Sequence, residues 1–476
     1  MNLQMWKEQW DGLLSYLDET NSYYESLVET VPRMETIQAL TQCLRSFALE
    51  QFDFLYKGVL QNQLTESDKF FFDYAFGVTL DQVGYDVSVI EQAANQRIRA
   101  HQLGEGNPIQ RALGVADQLA YNALDQAQPV NGNGMLREHT TVLTYFQKSP
   151  TIRVIPYAPI VLVAIPQSCI TNQRDFLAIP HEVGHYVYRH GRFKFGEGID
   201  EFLKTLPQSL AAESVGRRWF EEIFADVYGT LVAGPVMGID FQDLMLEYSV
   251  DKFNTDDDDH PVPNLRPHIY INVLAQDGIF SAWAEMLREN WMEYINRFSQ
   301  KVEPKNREEI SSKFKNEKDG RLTTIESVVS TEISQLEQAA YSTRSVDIAV
   351  NIIRDTLLKD IKGGSWTIDL AQPAADENAK SLYGKFDDYV GNLPSVQIPE
   401  LTVNGQVLSV VQSPGKPFQL NRKPGETGLE KIDGTRKKRK ELAREGKIPA
   451  EEWLRVIDGA GWATKGPDCE GTTGVC

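Results

Sequence analysis

Cysteine is scarce in this chain. Four residues of 476, Cys43, Cys169, Cys469 and Cys476, are too few and too scattered for a disulfide framework. A reducing, cytoplasmic setting is the expectation. Positive charge is also in short supply: 48 Lys and Arg face 67 Asp and Glu, a net charge of −19. Such a surface gives phosphates little to hold, so no nucleic-acid partner is expected. Long apolar runs are missing too. The longest, Ala158 to Ile165 with Pro159 inside it, falls far short of the roughly 20 residues that a membrane-crossing helix needs, and no membrane span is expected. Residues Met1 to Glu8 lack the basic flank, apolar stretch and small-residue cleavage site of a secretory signal. No repeat of fixed period is visible. What remains is an ordinary globular composition, 41% hydrophobic and 24% charged, on a chain long enough for several cores.

Histidine is almost as rare as cysteine, with 7 in the chain, yet two fall in His181-Glu182-Val183-Gly184-His185. On a helix, residues four apart share a face and rise about 6 Å, so His181 and His185 can offer two imidazoles to one tetrahedral zinc. Glu182 then sits beside the metal, where a carboxylate can take a proton from a metal-activated water. Such a site needs a third ligand. It is found in Arg217-Arg218-Trp219-Phe220-Glu221-Glu222-Ile223-Phe224-Ala225-Asp226. Helical spacing puts Glu222, Ala225, Asp226 and Gly229 on one face of a helix whose other positions are crowded with aromatic and aliphatic residues. Carboxylates on a buried helix need a partner or a metal. Glu222 can complete a His-His-Glu set, and Asp226, one turn on, can accept the free ring N–H of a ligand histidine. The small Ala225 and Gly229 let a second helix approach, and Gly184, which costs about 1 kcal/mol in a helix, predicts the close approach of another segment at its own position.

These residues resemble the gluzincin zinc metalloproteases. His260-Pro261-Val262-Pro263-Asn264-Leu265-Arg266 sharpens the likeness, since it is similar to the His-Pro-x-x-x-x-Arg segment of the HtpX-like and CAAX-prenyl-protease family. The resemblance spans about residues 155 to 270. It implies a zincin-like core with one zinc ion, and places His260 and Arg266 at the substrate or the oxyanion. Two features depart from the family. Asn usually precedes the ligand Glu, whereas this chain has Glu221, and those enzymes are typically embedded in membranes. The catalytic chemistry carries over, and the prenylated substrate does not.

The expected fold is a predominantly helical α+β arrangement with a small sheet and an active-site helix. Residues 1–130 read as a helical region, with Leu13, Leu14 and Leu17 at helical spacing and the aromatics Phe70, Phe71, Phe72, Tyr74 and Phe76 as helical core. Asn131-Gly132-Asn133-Gly134 marks a turn and opens a metalloprotease core over 131–300. In it, Thr151–Ile155 and Ile160–Ile165 read as short strands near a sheet edge. Ile160–Ile165 is either an exposed strand that pairs with a substrate backbone or a fully buried one. Pro180 predicts that the helix either starts or bends there, and His190-Gly191 that it ends. Ser209–Ser214 is placed to cover the site, and Asp256–Asp259 reads as a solvated loop or an acidic rim. A second helical region covers 301–393. A hairpin with its turn at Asn404-Gly405 and a loose tail cover 394–476, where the basic run Arg436–Lys440 is either a solvated helix face or a docking segment for a partner or for the chain's own acidic surface. The combined expectation is a zinc-dependent peptidase, an endopeptidase acting on protein or peptide substrates. A binding or scaffold protein with a structural zinc and another metal-dependent hydrolase are the alternatives.

Overall fold

The computed structural model describes residues 2–62, 64–66, 71–129, 134–136, 138–155, 157–193, 196–197, 214–247, 260–261, 263, 266–301, 343–361, 366–370, 372–374, 376–402 and 448–449. Among them are eleven α-helices and one three-stranded mixed sheet, a predominantly helical α+β fold. The expectations for Phe70, Asn131–Asn133, the segment Ser209–Ser214 up to Glu213, Asp256–Asp259, the 404–405 turn, the basic run at 436–440 and the last two cysteines lie outside the described residues.

The chain forms two compact units. One comprises Met1–Leu124, Gln128–Phe176 and the residues from Pro394 onward; the other comprises Asp125–Ala127 and Leu177–Leu393. The sheet, grouped with the metal motif by composition, therefore clusters with the N-terminal helices.

The first unit begins with α1 (Leu3–Glu25), α2 (Met34–Leu60), α3 (Phe72–Gln102) and α4 (Pro108–Asp125). The apolar stripes of α1, α2 and α3 meet in one core, where Trp10 of α1 stacks on Phe52 of α2 with ring centroids 4.5 Å apart, and Phe76 of α3 packs at a tilt on Phe52. Only part of the aromatic run is core. Phe72 and Phe76 lie one turn apart on the inward face, while Phe71 and Tyr74 are exposed on the other side of the helix. The sheet contains β1 (Thr141–Gln147), β2 (Thr151–Arg153) and β3 (Ile160–Pro166) in the order β1-β3-β2. β3 runs parallel to β1, with Thr141 opposite Ile160, and antiparallel to β2, with Ile152 opposite Val163. It is buried from Ile160 to Ile165, which decides between the two readings of that segment. β3 is paired along its whole length with β1 and over Leu162–Ala164 with β2, so it is a central strand, and burial on both faces explains its unbroken apolar run.

Two buried ion pairs fasten helices to this sheet. Asp117 of α4 accepts from Arg97 of α3 and from the backbone and hydroxyl of Thr144 in β1. Asp86 of α3 accepts from Arg153 at 2.8 Å and from the Tyr157 hydroxyl at 2.9 Å. The extended segment before Leu401 closes the unit. Arg33, at the start of α2, has φ +65° and donates to the carbonyls of Pro399 and Val142 and to Thr141 while pairing with Glu400. Thr36 holds the backbone N–H of Leu401.

The second unit is helical: α5 (Ile179–His190), α6 (Ser214–Ala233), α7 (Pro235–Met245), α8 (Arg266–Ala275), α9 (Ser281–Lys301), α10 (Thr343–Asp360) and α11 (Ser381–Gly391). Trp283 and Trp291 of α9 are fully buried. No helix among the described residues is long and apolar enough to cross a membrane.

Candidate metal centre

The centre lies entirely within the second unit. α5 starts at Ile179 with Pro180 in its first turn, where a missing N–H costs nothing, and ends at His190 before Gly191. Every residue from Ile179 to Tyr188 is buried. α6 packs on it, and glycine sets the separation. A Cβ added to Gly184 would lie 2.9 Å from the Cα of Ala225, and one added to Gly229 would lie 3.3 Å from the backbone nitrogen of His181. The helices run antiparallel, because Gly229 meets His181, Ala225 meets Gly184, and Glu221 meets His185 and Arg189.

This pairing brings the predicted ligands together. His181 Nε2 lies 3.1 Å from His185 Nε2 and 3.4 Å from Glu222 Oε2, and His185 Nε2 lies 3.4 Å from Glu222 Oε1. His181, His185 and Glu222 form a group that could hold a metal ion. Glu182 is buried beside it on α5 but is not a member of that group. Among the described residues, none pairs with its carboxylate.

Each histidine has a carboxylate behind it. Asp226 Oδ1 lies 2.9 Å from His181 Nδ1, a short contact made off the line of an ideal hydrogen bond. Glu221 Oε1 lies 3.0 Å from His185 Nδ1. Arg189, one turn beyond His185, donates to both oxygens of Glu221 at 3.0 and 2.9 Å. Arg266, at the start of α8, donates twice to Asp226 at 2.9 Å and once to Glu222 at 3.0 Å, with its guanidinium over the ring of Phe241. Tyr270, one turn on, donates to Asp226. His260 Nε2 is 3.8 Å from Glu222 Oε2. His181, His185, Glu222, Asp226, His260 and Arg266 thus converge, with Arg266 engaged by the two carboxylates of α6. His190 stacks on Tyr186 and takes no part in the ligand group.

Glu221, Arg189 and Tyr270 are additions that the motifs did not supply. Tyr270 follows Arg266 by four residues and Arg189 follows His185 by four, so helical spacing carried a signal. Which carboxylate serves which histidine depends on the direction of helix pairing, which spacing alone does not give.

Charge in the centre is balanced in pairs. Burial works against protonation of His181, but Asp226 and Glu222 outweigh it and push its pKa up to about 9. Burial works to raise Glu222, yet His185, His181 and Arg266 hold it well below the usual carboxylate range. Asp226 is lowered against burial chiefly by Arg266. Burial and the neighbouring Asp226 both push the Tyr270 hydroxyl upward.

No protein-family model matches the chain, and no curated protein or solved structure does.

Proposed function

We propose that the chain is a zinc-dependent peptidase of gluzincin type, acting as an endopeptidase on protein or peptide substrates. The observation that carries this reading is the convergence of three side chains: the two Nε2 atoms lie 3.1 Å apart, and each is 3.4 Å from an oxygen of Glu222, His181 from Oε2 and His185 from Oε1. A tetrahedral zinc with bonds of about 2.0–2.1 Å spaces its ligand atoms about 3.3–3.4 Å apart, and two imidazoles with a carboxylate are a donor set that zinc takes. Bound there, zinc would lower the pKa of a coordinated water to about 7 and polarise a substrate carbonyl.

The chain's own residues supply the rest. His181, His185 and Glu222 hold the ion. Glu182, outside the ligand group, takes a proton from the attacking water at its carboxylate and delivers it to the nitrogen of the departing amine, so the carboxylate ends as it began. His260 is assigned the donor role toward the developing oxyanion. Arg266 keeps Glu222 and Asp226 in place through three charge-assisted bonds, a role that precedes any it has toward the oxyanion.

A structural metal is the second reading, favoured by the burial of both histidines. Glu182 separates the two, because a structural site needs no carboxylate at that position. Cell proteins incubated with the parent and with Glu182→Gln, then compared by mass spectrometry for new peptide ends, provide the test. The variant should keep its zinc and its fold and cut about 10²- to 10⁴-fold more slowly, whereas His185→Ala should lose the zinc. Equal cutting by parent and Glu182→Gln, or no new ends with either, would sink the peptidase reading.

A further inference from the structure

The two ligand histidines are held by different devices. His181 is backed by the inner one, Asp226 with Arg266 and Tyr270, whose side chains are almost wholly buried. His185 is backed nearer the surface, by Glu221 and Arg189, with side chains 18% and 23% exposed. The Nε2 of His185 faces the ligand group, so a metal-binding tautomer carries its hydrogen on Nδ1 and requires an acceptor there. Glu221 Oε1 lies at that position, 3.0 Å away. A glutamate has three side-chain torsions and by itself would not stay on one ring nitrogen. The fork of Arg189 fixes both of its oxygens at 3.0 and 2.9 Å, and Arg189 sits on the same helix as the histidine being aimed. The clamp also spans the end of the α5–α6 contact opposite Gly229 and His181.

We infer that Glu221, gripped by Arg189, is the positioning residue that aims His185 at the metal, and that this outer pair governs how tightly the site holds zinc. It rests on the metal-site reading above and assigns distinct tasks to the adjacent glutamates: Glu222 binds the ion, and Glu221 orients its neighbour. Because the outer pair is partly exposed, it can be altered without leaving a sealed charge, which is not true of Asp226.

The test uses the full chain, with zinc alone as the probe in competition with a chromophoric chelator and cobalt(II) as a spectroscopic substitute. Glu221→Ala should weaken zinc binding about 10- to 100-fold and shift the visible bands of the cobalt form, while metal-free thermal unfolding stays near that of the parent. Glu221→Gln keeps an acceptor for His185 and should recover most of the affinity. Arg189→Met, which keeps the carboxylate but removes the fork that grips it, should fall between the two. Zinc affinity within twofold of the parent for both Glu221→Ala and Arg189→Met, with unchanged cobalt bands, would overturn the inference while leaving the metal site standing. Should Glu221→Ala not fold, Arg189→Met and Glu221→Gln decide the matter. A parent chain that binds no zinc overturns the metal site itself, and this inference with it.

Discussion

Replacing Gly184 by alanine tests whether the separation of α5 and α6 determines the metal centre. The new methyl would stand 2.9 Å from the Cα, 3.1 Å from the carbonyl oxygen and 3.3 Å from the Cβ of Ala225. Two of those atoms are backbone and cannot turn aside. Ordinary carbon contacts lie at about 3.5–4.0 Å, so relief needs a movement of roughly 0.6–1 Å. Alanine is favoured over glycine in a helix by about 0.8–1 kcal/mol, whereas overpacking of this kind costs about 1–3 kcal/mol. The net effect should be a loss of up to about 2 kcal/mol. Gly384, in α11 of the same unit, is the internal control, since a Cβ there meets nothing within 4 Å; Gly384→Ala should gain about 0.5–1 kcal/mol. Urea unfolding of the metal-free variants measures both. The same movement exceeds the roughly 0.5 Å tolerance of a preorganised site and would widen the distances from Glu222 to the histidines, so zinc affinity should fall about tenfold or more. If Gly184→Ala is stabilised as much as Gly384→Ala and binds zinc like the parent, the close contact of these helices does not set the ligand geometry.

Zinc uptake should depend on pH with a definite sign. Because Asp226 and Glu222 raise the pKa of His181 to about 9 in the metal-free centre, binding below that pH must expel a proton. Affinity should therefore climb about tenfold per pH unit for each proton released and level off above about pH 9; calorimetry in buffers of different ionisation enthalpy counts the proton, and none released would contradict the pairing. In the first unit, Arg153→Met strands the carboxylate of Asp86 among buried groups and should cost about 3–5 kcal/mol in urea unfolding. The double variant Arg153→Met/Asp86→Leu should regain much of that loss, as buried pairs replaced together often do.

Much of the centre was legible because its information is local. His181 and His185, and again Glu222 and Asp226, stand four apart on single helices, and Gly184, Ala225 and Gly229 each announced a close neighbour, which the structure shows to be the other helix. The sheet was read less completely. Strands were anticipated at Thr151–Ile155 and Ile160–Ile165 and form over Thr151–Arg153 and Ile160–Pro166, but β1 passed unnoticed: Thr141–Phe146 is buried throughout, so the polar alternation that marks a half-exposed strand is missing. Glu221 was seen only as an unusual neighbour of the ligand. Its service to His185 depends on α5 and α6 running in opposite directions, a property of the pair that neither helix records in its own spacing.

The closing segment of the first unit has a consequence for biosynthesis. Arg33 emerges from the ribosome early, but Pro399 and Glu400, which receive its guanidinium, follow only after the whole of Leu177–Leu393 has been made. Until then Arg33 has Thr141 and Val142 but lacks its anion, and the Thr36 hydroxyl lacks the Leu401 N–H, so a nascent chain halted before Pro394 should expose a seam that Pro399 to Leu401 later cover.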